Sequence, residues 1–544
     1  MSDAIIGIDF GTTSSAVATI DSGVPSIISD SAGREFLPSS AFVRGDGEIF
    51  VGHEAVRESR KCLGSGFNVG SIKRLMDRKM AFRGLEKGVS PLILSSLILA
   101  ELRFIAESHL KQSINKVVIT VPANFGYFQR QFVKEASLIA GLEPVMIVNE
   151  ATAAVCMLRN DFEGVVTAAD LGGGSFDLSI VEVGEGVNEV VYANGDDELG
   201  GDDFTETLIR VISDKTRETF DLDLCRSDPS MHYRIGEAAE EAKILLSGSK
   251  AVEVRIPLLK NRKGGDENLA CSITQAEFEI ECEPLLSRIR TMVGEALSFE
   301  DARSRRMSTS LIQGSRKRDE TWMGRLLGAI KGGSTSRHSK SVGLSSNERL
   351  SIWLLGNASR MPAISRELRG SWQVKPASLA GVKSPVALGA ARLGGMRSGV
   401  DRQLLLLDVT SRSLGTSTAK DPFIPLIERN TTFPTKKTST FTTVADNQPS
   451  IEVPILEQNP RPGGGCRIID VLRLDGIPPC VAGTPKIEVS FDVDGNGILD
   501  VSAKNLTTGH LVNVRYDKLQ STPSTINQYH GLVQEWLAKR RERR

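Results

Sequence analysis

Two segments of the chain each place an acidic residue at the end of an apolar run and follow it with glycines and hydroxyl side chains. The first is Asp-Phe-Gly-Thr-Thr-Ser-Ser at residues 9–15, and the second is Asp-Leu-Gly-Gly-Gly-Ser-Phe-Asp at residues 170–177. Glycine lets backbone amides approach an anion closely because it has no Cβ, and consecutive amides form an anion-binding nest. The two turns therefore predict a site for a phosphorylated ligand such as a nucleoside triphosphate.

The side chains at these turns supply the remaining chemistry of such a site. The hydroxyl groups of Thr12, Thr13 and Ser175 can donate to phosphate oxygens. The carboxylates of Asp9, Asp170 and Asp177 can hold magnesium, partly through its water molecules, because magnesium loses its water reluctantly.

Three alternative motifs are not favoured. The chain has no Gly-x-x-x-x-Gly-Lys-Ser/Thr loop, so it is not a P-loop enzyme. Residues 9–11 spell the Asp-Phe-Gly motif of protein kinases, but no His-Arg-Asp loop or glycine-rich loop precedes them. Residues 492–497 match the first half of a calcium loop, but the twelfth position is Ala503 rather than Glu, and a hairpin turn explains them better.

The two acidic turns predict a duplicated architecture. In each, an apolar run on both sides of the turn is typical of a β-hairpin, and a repeated hairpin indicates two similar lobes facing each other across a cleft. Between the hairpins, the apolar spacing predicts an amphipathic helix over 92–110, a strand over 116–121, and a helix over 128–140 that ends at Gly141. Alternating strands and helices indicate an α/β fold.

The composition is that of an ordinary soluble protein. The chain has 544 residues, enough for two or three domains, and a formal net charge of −1, so it is not a nucleic-acid-binding polycation as a whole. Seven cysteines are scattered without Cys-x-x-Cys spacing, which favours a reducing compartment. We find no secretory signal at the N-terminus and no apolar run long enough to span a bilayer, so the expected location is the cytoplasm.

The pattern changes twice along the chain. Residues 302–345 are rich in Lys, Arg, Ser and Gly, which predicts a solvated and partly disordered insertion. A short apolar spacing within it, from Trp322 to Ile330, fits either a local surface helix or a contact with a partner or membrane surface. Residues 413–516 read as strands separated by turn residues, which predicts an antiparallel β-sandwich, and residues 526–544 read as a helix ending in a solvated charge run.

At these motifs the sequence resembles the heat-shock protein 70 family of DnaK-type chaperones, from Ile5 to about Lys518 apart from the basic insertion. The resemblance is closest to the HscC-like branch. The motifs that carry it are Gly-Ile-Asp-Phe-Gly-Thr-Thr-Ser-Ser at 7–15, Ile-Lys-Arg-Leu at 72–75, Val-Pro-Ala-Asn-Phe at 121–125, Asn-Glu-Ala-Thr-Ala-Ala at 149–154, Leu-Gly-Gly-Asp-Asp-Phe at 199–204, Gly-Asn-Ala-Ser-Arg-Met-Pro at 356–362 and Leu-Leu-Leu-Leu-Asp-Val at 404–409.

The resemblance implies a role for each matching residue. The nucleotide would contact Gly11, Thr12, Thr13, Gly172, Gly173, Gly174, Gly200, Gly201, Glu240, Lys243, Ser247, Gly356 and Arg360. Asp9, Asp170, Asp177, Ser175 and Glu150 would organise magnesium and water, and Lys73 would orient the attacking water. The state of the nucleotide would pass to the linker through Pro122, Arg130, Leu405, Leu406 and Asp408.

The resemblance also implies the domain organisation. An actin-like (ribonuclease H-like) ATPase domain would cover 1–399, a linker 400–409, a β-sandwich substrate-binding domain 410–520 and a short helical tail 521–544, with the family's helical lid missing. The pocket for extended, unfolded polypeptides would be lined by Phe441, Val444, Ile451, Val453 and Ile487. The alternative interpretation is that these five belong to the sandwich core.

The function that follows is an ATP-dependent chaperone, expected to act as a monomer with a J-domain co-chaperone and a nucleotide exchange factor. Two departures from the family pattern, Asn357 and Lys383, lie near the expected nucleotide and motivate an alternative: a nucleotide-sensing adaptor that barely hydrolyses ATP. A sugar or glycerol kinase of the same architecture would not need the β-sandwich, and fold alone does not decide between these functions.

Overall fold

The structure is a computed structural model. It describes residues 4–21, 23–62, 66–76, 89–157, 163–184, 186–221, 229–312, 350–372, 377–378, 384–399, 404–418, 420–459, 464–495, 497–515 and 521–542. Lys383 and most of the predicted basic insertion, including Trp322 to Ile330, lie outside these residues.

The elements of the described residues are as follows. The strands are β1 (Ile5–Asp9), β2 (Ser14–Asp21), β3 (Val24–Ile27), β4 (Leu37–Pro38), β5 (Ala41–Arg44), β6 (Ile49–Val51), β7 (Gly66–Val69), β8 (Lys116–Val121), β9 (Glu143–Asn149), β10 (Gly164–Leu171), β11 (Phe176–Gly184), β12 (Val187–Asp196), β13 (Ala251–Lys260), β14 (Asp266–Thr274), β15 (Leu350–Leu355), β16 (Ala377–Ser378), β17 (Leu405–Leu407), β18 (Leu414–Thr416), β19 (Ile424–Ile427), β20 (Thr435–Phe441), β21 (Ser450–Gln458), β22 (Cys466–Asp475), β23 (Ile487–Val493), β24 (Leu499–Asn505) and β25 (Leu511–Arg515). The helices are α1 (Gly52–Lys61), α2 (Pro91–Leu110), α3 (Tyr127–Ile139), α4 (Glu150–Cys156), α5 (Gly201–Thr216), α6 (Pro229–Leu246), α7 (Gln275–Glu281), α8 (Glu283–Ile312), α9 (Pro362–Trp372), α10 (Pro385–Arg397) and α11 (Pro523–Glu542), with 3₁₀ turns at Ile72–Leu75 and Asn357–Arg360.

Two sheets of the N-terminal region (residues 4–399) have the same plan. The main path of the first runs β3-β2-β1-β8-β9, and the second contains β12-β11-β10-β15-β16. In the first sheet, β1 pairs antiparallel with β2 and parallel with β8. In the second sheet, β10 pairs in the same way with β11 and β15. The predicted hairpins are thus confirmed as β1–β2 and β10–β11, and each carries its acidic turn at the same place in its sheet.

Helices α4 and α10 pack between these sheets and bring β1 into its position. Their alanines share a buried cluster with residues of both sheets, including Val118 and Val166. Helix α10 approaches β1 so closely that a Cβ on Gly7 of β1 would overlap the backbone of Ala391. It approaches α4 equally closely, because a Cβ on Gly389 would overlap the carbonyl oxygen of Ala153. Small residues at this contact therefore fix where the first acidic turn lies.

Helix α2 was predicted to be amphipathic, and this is wrong for its first half. Every residue from Ile93 to Leu102 is buried, because α11, from the far end of the chain, packs on α2 and α3. Val533 and Leu537 of α11 join the hydrophobic cluster that contains α2. The indole nitrogen of Trp536 also donates to the carbonyl of Ile49 at 2.9 Å.

The charge run at 539–544 was predicted to be solvated, and at Arg540 this is also wrong. Its side chain is 8% exposed, lies 3.0 Å from Glu101 of α2 and 2.9 Å from Glu54 of α1, and so joins three helices. The neighbouring Lys539 is exposed. Since a cation at this position neutralises a buried carboxylate, Arg540 anchors α11 to the N-terminal region.

We expect Arg540→Ala to loosen α11 because it leaves Glu101, 4% exposed in its side chain, without this cation. Removing one member of a buried pair costs about 3 kcal/mol. Amide hydrogen exchange over residues 523–542 should accelerate and the urea midpoint should fall. Lys539→Ala is the matched control and should change neither. Equal protection of α11 in both variants would contradict the role given to Arg540.

The β-rich region (residues 410–515) contains two antiparallel sheets of four strands among its described residues, ordered β19-β18-β21-β22 and β20-β23-β24-β25. Both contribute to one hydrophobic cluster that includes Ile455, Leu474, Val489 and Phe491. The predicted hairpin turn at 492–497 is confirmed, because it joins the antiparallel strands β23 and β24.

The first residues of the predicted basic insertion are helical. Residues 302–312 are the last part of the long helix α8 rather than an irregular segment. In the part of the chain that is described, no helix is both long and apolar enough to cross a membrane.

Candidate functional site

The two acidic turns lie directly against each other. A Cβ on Gly173 of the second turn would overlap the hydroxyl oxygen of Thr13 in the first, and one on Gly174 would lie 2.5 Å from that of Thr12. Only glycine leaves room here, so the second turn presents bare backbone beside two threonine hydroxyls. This is the geometry that an anion-binding nest needs.

Three aspartates lie beside the turns, and two of them, Asp170 and Asp177, are buried. Asp170 and Asp177 face each other across the β10–β11 hairpin, and Asp9 ends β1. Burial, and next the charge of Glu150, raise the pKa of Asp9 to about 7 and the pKa of Asp170 and Asp177 well above their usual range. Buried carboxylates of like charge are stable as anions only if a cation joins them.

One lysine lies among these acids. The Nζ atom of Lys73 is 2.7 Å from Oε1 of Glu150 and also donates to the carbonyl of Phe10. The rings of Phe10 and Phe125 lie 5.5 and 5.4 Å from Nζ. Lys73 is 4% exposed, so its position is held by an ion pair, a carbonyl and two aromatic faces.

The aspartates fit a hydrated magnesium ion. Oδ1 of Asp177 accepts a hydrogen bond of 2.6 Å from the amide of Ala123, whereas Oδ2 is buried and has no hydrogen-bond partner among the described residues. Ser175, in the turn between β10 and β11, is also buried. The described residues contain no group of three or more His, Cys, Asp or Glu close enough to ligate a metal directly. The unpartnered oxygen suits a donor such as a cation-bound water.

The residues predicted to meet the adenosine lie beside the start of α5. Lys243 of α6 donates to the carbonyl of Gly201 at 2.9 Å and pairs with Glu240 at 2.6 Å. Ser247, one turn further on, lines a small cavity with Lys243 and Met361. The amide of Gly201 in turn donates to the carbonyl of Gly172 at 2.9 Å, which ties this cluster to the second turn.

Gly356 and Arg360 lie at the end of β15 nearest the site. Gly356 has a φ of +75°, and a Cβ there would overlap the carbonyl of Leu171 and lie 2.5 Å from Oδ1 of Asp170. Arg360 and Asn357 are exposed. The 3₁₀ turn that holds them does not line the cavity, but Met361, directly after it, does so together with Lys243 of α6.

The linker segment (residues 404–409) lies on the second N-terminal sheet. Strand β17 pairs parallel with β12, with Leu405 opposite Val187 and Leu406 opposite Asn188. Directly after it, Asp408 accepts a hydrogen bond from Asn149 at 3.5 Å. The apolar run predicted as a linker is thus an added edge strand in this structure.

Arg130 lies between the catalytic candidates and the linker. It donates to Oδ1 of Asn149 at 2.6 Å and to the carbonyl of Phe125 at 3.0 Å. Burial lowers the pKa of Arg130, and the charge of Asp408 opposes this. Pro122 precedes Ala123, whose amide holds Asp177. One short path of contacts therefore joins Asp177 to Asp408.

We expect linker docking to depend on pH through Asp408. Burial raises its pKa from 3.8 to about 6 in the docked structure. A raised pKa means that docking is favoured when the carboxyl is protonated, so docking is strongest below about pH 4, weakens by roughly 100-fold as pH rises to about 6, and is constant above that. Asp408→Asn should dock independently of pH.

Hydrogen exchange over 404–409, compared between Asp408→Asn and the unmodified chain at each pH from 4 to 8, measures this. The comparison at equal pH cancels the intrinsic pH dependence of exchange. A constant ratio across the range would contradict the assignment.

Sequence reasoning did not identify the residues that join the β-rich region to the N-terminal region. Arg412 donates to the carbonyl of Asn124 at 2.8 Å and lies 3.2 Å from Glu457, which accepts a 2.8 Å hydrogen bond from the amide of Tyr127. A Cβ on Gly126 would overlap Glu457. No sequence motif marks such a contact between distant segments.

The predicted peptide-contacting residues are placed unequally. Ile451, Val453 and Ile487 are buried in the hydrophobic cluster of the β-rich region, and Phe441 packs against it. Val444 is 76% exposed. The interpretation as core residues accounts for the three buried positions, and a peptide contact at any of the five stays a prediction.

A comparison with protein-family models gives a match over most of the chain. The model described as Hsp70 protein matches the chain over residues 5–90, 77–318 and 312–536. These matches span the N-terminal region, the linker segment, the β-rich region and most of α11.

Proposed function

The chain belongs to the Hsp70 family, and from this premise we propose that it is an ATP-driven chaperone that couples hydrolysis to the binding and release of unfolded polypeptide segments. Family membership supports a chaperone role, nucleotide binding and ATP hydrolysis in general terms. The observation that carries the specific proposal is the buried Lys73–Glu150 pair among three aspartates at the contact between two glycine turns.

We propose that the repeated strand order reflects an actin-like domain over 1–399 with the nucleotide in the cleft between its halves. The two sheets of the β-rich region would then be a sandwich over 410–520, joined by the linker at 400–409 and followed by the helical tail. The common plan of the first two sheets and the shared cluster of the last two support these assignments. The match to the HscC-like branch remains part of this proposal.

The residues around the turns would hold magnesium-bound ATP. Backbone amides at 11–13 and 172–174 and the hydroxyls of Thr12 and Thr13 would bind the phosphates, while Glu240, Lys243, Ser247, Gly356 and Arg360 would border the adenosine. Asp9, Asp170 and Asp177 would hold the cation through water. Magnesium, when bound, neutralises charge on the phosphates.

Lys73 and Glu150 would carry the chemical step. The ammonium group of Lys73, held by Glu150 and Phe10, would orient the attacking water and stabilise negative charge on the departing phosphate. Because both groups are fixed before substrate arrives, little reorganisation is needed in the transition state. Asp177 would accept a hydrogen bond from that water or from one bound to the cation.

The docked linker supports coupling between the two regions. In this structure, β17 lies on the second sheet and Arg412 joins the β-rich region to α3 and the segment before it. We propose that this is the arrangement favoured by ATP, that loss of the γ-phosphate releases it through Pro122, Arg130 and Asp408, and that extended peptides then bind the β-rich region. A J-domain co-chaperone and an exchange factor would act on the same cycle.

Calorimetric titration with magnesium-bound ATP, followed by single-turnover phosphate release, tests the nucleotide part of the proposal. We expect binding that requires magnesium and slow release of phosphate that unfolded peptide accelerates. Binding without phosphate release, even with peptide, would instead favour a nucleotide-sensing adaptor. The absence of any binding would contradict both.

A further inference from the structure

The 3₁₀ turn Ile72–Leu75 carries two cations that point in different directions. Lys73 points into the site of the first sheet, toward Glu150 and Phe10. Arg74, the next residue, crosses to the second sheet and contacts Gly174 and Asp203. A single turn of backbone therefore connects the proposed catalytic lysine to the opposite half of the N-terminal region.

The guanidinium of Arg74 makes bidentate contacts with the opposite half of the N-terminal region. Nη2 and Nε donate to the carbonyl of Gly174 at 2.7 and 3.1 Å. Nη2 and Nη1 bind the two carboxylate oxygens of Asp203 at 2.5 and 3.1 Å. The planar guanidinium matches this geometry, and a lysine would not.

Asp203 is itself part of the structure that holds the second turn. Its Oδ2 accepts from the amide of Gly200 at 2.7 Å and so caps α5. The following amides, of Gly201 and Asp202, donate to the carbonyls of Gly172 and Gly173 at 2.9 and 2.8 Å. A cation bound to both Gly174 and Asp203 therefore grips the second glycine turn and the start of α5 together.

A second contact in the same place reinforces the crossing. Ser71, immediately before the turn, has a φ of +49° and donates its hydroxyl to Asp202. The segment 71–74 thus binds two successive residues of α5 while its other side chain, Lys73, stays on Glu150.

We propose that Arg74 is a positioning residue that holds the second glycine turn closed on the first, and that its separation from Asp203 accompanies nucleotide release. This rests on the proposed function, since a nucleotide must lie between the turns. Because Lys73 stays on Glu150, opening of the second turn would carry phosphates bound at residues 172–174 away from the proposed catalytic ammonium group. Closure of the cleft and readiness for hydrolysis are then one event.

Another ion pair crosses between α1 and α6 and provides a matched control. Arg60 lies 2.5 Å from Glu237, but its side chain is 62% exposed. Exposed pairs contribute little and are screened by salt. Arg74, at 22% exposure with a buried carbonyl among its acceptors, is expected to contribute much more.

The test uses the full chain with Arg74→Gln, Arg74→Lys, Asp203→Asn and the double variant Arg74→Gln/Asp203→Asn. The dissociation rate of a fluorescent ADP analogue and the single-turnover rate with ATP are measured. We expect release to accelerate about 10- to 100-fold in Arg74→Gln, with an intermediate value for Arg74→Lys. Asp203→Asn keeps an oxygen that can accept from the amide of Gly200 at the start of α5. The double variant should release the analogue little faster than either single variant, because the two residues act together.

Arg60→Gln should change release by less than about fivefold. Release from Arg74→Gln at the unmodified rate, or additive effects in the double variant, would overturn the assignment of Arg74. Failure of the unmodified chain to bind the analogue would instead contradict the proposed function, so the two failures are distinguishable.

Discussion

Lys73→Ala is expected to leave binding of magnesium-bound ATP nearly unchanged and to reduce single-turnover hydrolysis by at least about 100-fold, since removal of one preorganised donor from a developing anionic centre has an effect of this size. The phosphates would still be bound by the backbone of the two glycine turns, which the substitution does not touch. The ammonium group held between Glu150 and Phe10 would be lost, and with it the group that orients water.

Rapid-quench measurement of phosphate from a single turnover, beside calorimetric ATP affinity, separates these effects. Lys61→Ala is a suitable control because Lys61 is an exposed lysine of α1 paired only at the surface with Glu58. An unchanged single-turnover rate in Lys73→Ala would refute the catalytic role. Weaker affinity with an unchanged rate at saturating ATP would show that Lys73 only binds the ground state.

Arg412→Ala is expected to uncouple the β-rich region from the nucleotide. It removes the hydrogen bond to the carbonyl of Asn124 and leaves Glu457, 5% exposed in its side chain, without its cation. Loss of one partner from a buried pair costs about 3–5 kcal/mol, which shifts the docking equilibrium by more than about 100-fold. Nucleotide affinity should change much less.

The measurement is the acceleration of peptide dissociation by ATP, which we expect to disappear in Arg412→Ala. Arg473→Ala removes an exposed arginine of β22 that pairs at the surface with Asp475, so it serves as the control. Full acceleration in Arg412→Ala would contradict the role of this contact.

Gly126→Asp tests the same interface from the side of the N-terminal region. Gly126 is the N-cap of α3, where aspartate is favourable, so the N-terminal region should keep its stability. A Cβ there overlaps both Glu457 and the guanidinium of Arg412, so the larger side chain would displace them from the contact. If Gly126→Asp and Arg412→Ala both abolish the acceleration of peptide dissociation by ATP, the coupling depends on this interface.

The parts of the fold that were predictable have local signals. Glycine and hydroxyl residues after an acidic strand end marked both hairpins, and Gly141, with φ at +79°, ends the helix that the apolar spacing predicted. The facing of Thr12 and Thr13 toward Gly173 and Gly174 followed from the repeat, because similar hairpins in similar sheets place their turns alike.

What sequence reasoning missed depends on contacts between distant segments. Helix α2 was predicted to have a solvated face because nothing near it in sequence announces that α11 covers it. Arg540 was predicted to be solvated for the same reason: its partners, Glu54 and Glu101, lie in the first part of the chain. A charge run gives no sign of which of its members will be buried.

The residues of the candidate site likewise divide into those with a local sequence signal and those that depend on contacts between distant segments. Lys73 and Glu150 stood out through the family motifs, whereas Arg74, in the same motif, had no assigned partner. Its contacts with Gly174 and Asp203 depend on how the two halves close. Arg412 and Glu457 belong to none of the quoted motifs.

The most direct test of coupling is the dissociation of a fluorescent unfolded peptide from the full chain before and after addition of magnesium-bound ATP. We predict that ATP accelerates dissociation, and that ADP does not. Identical dissociation rates in all three conditions, with ATP binding confirmed in the same sample, would contradict the proposal that the nucleotide site controls the β-rich region.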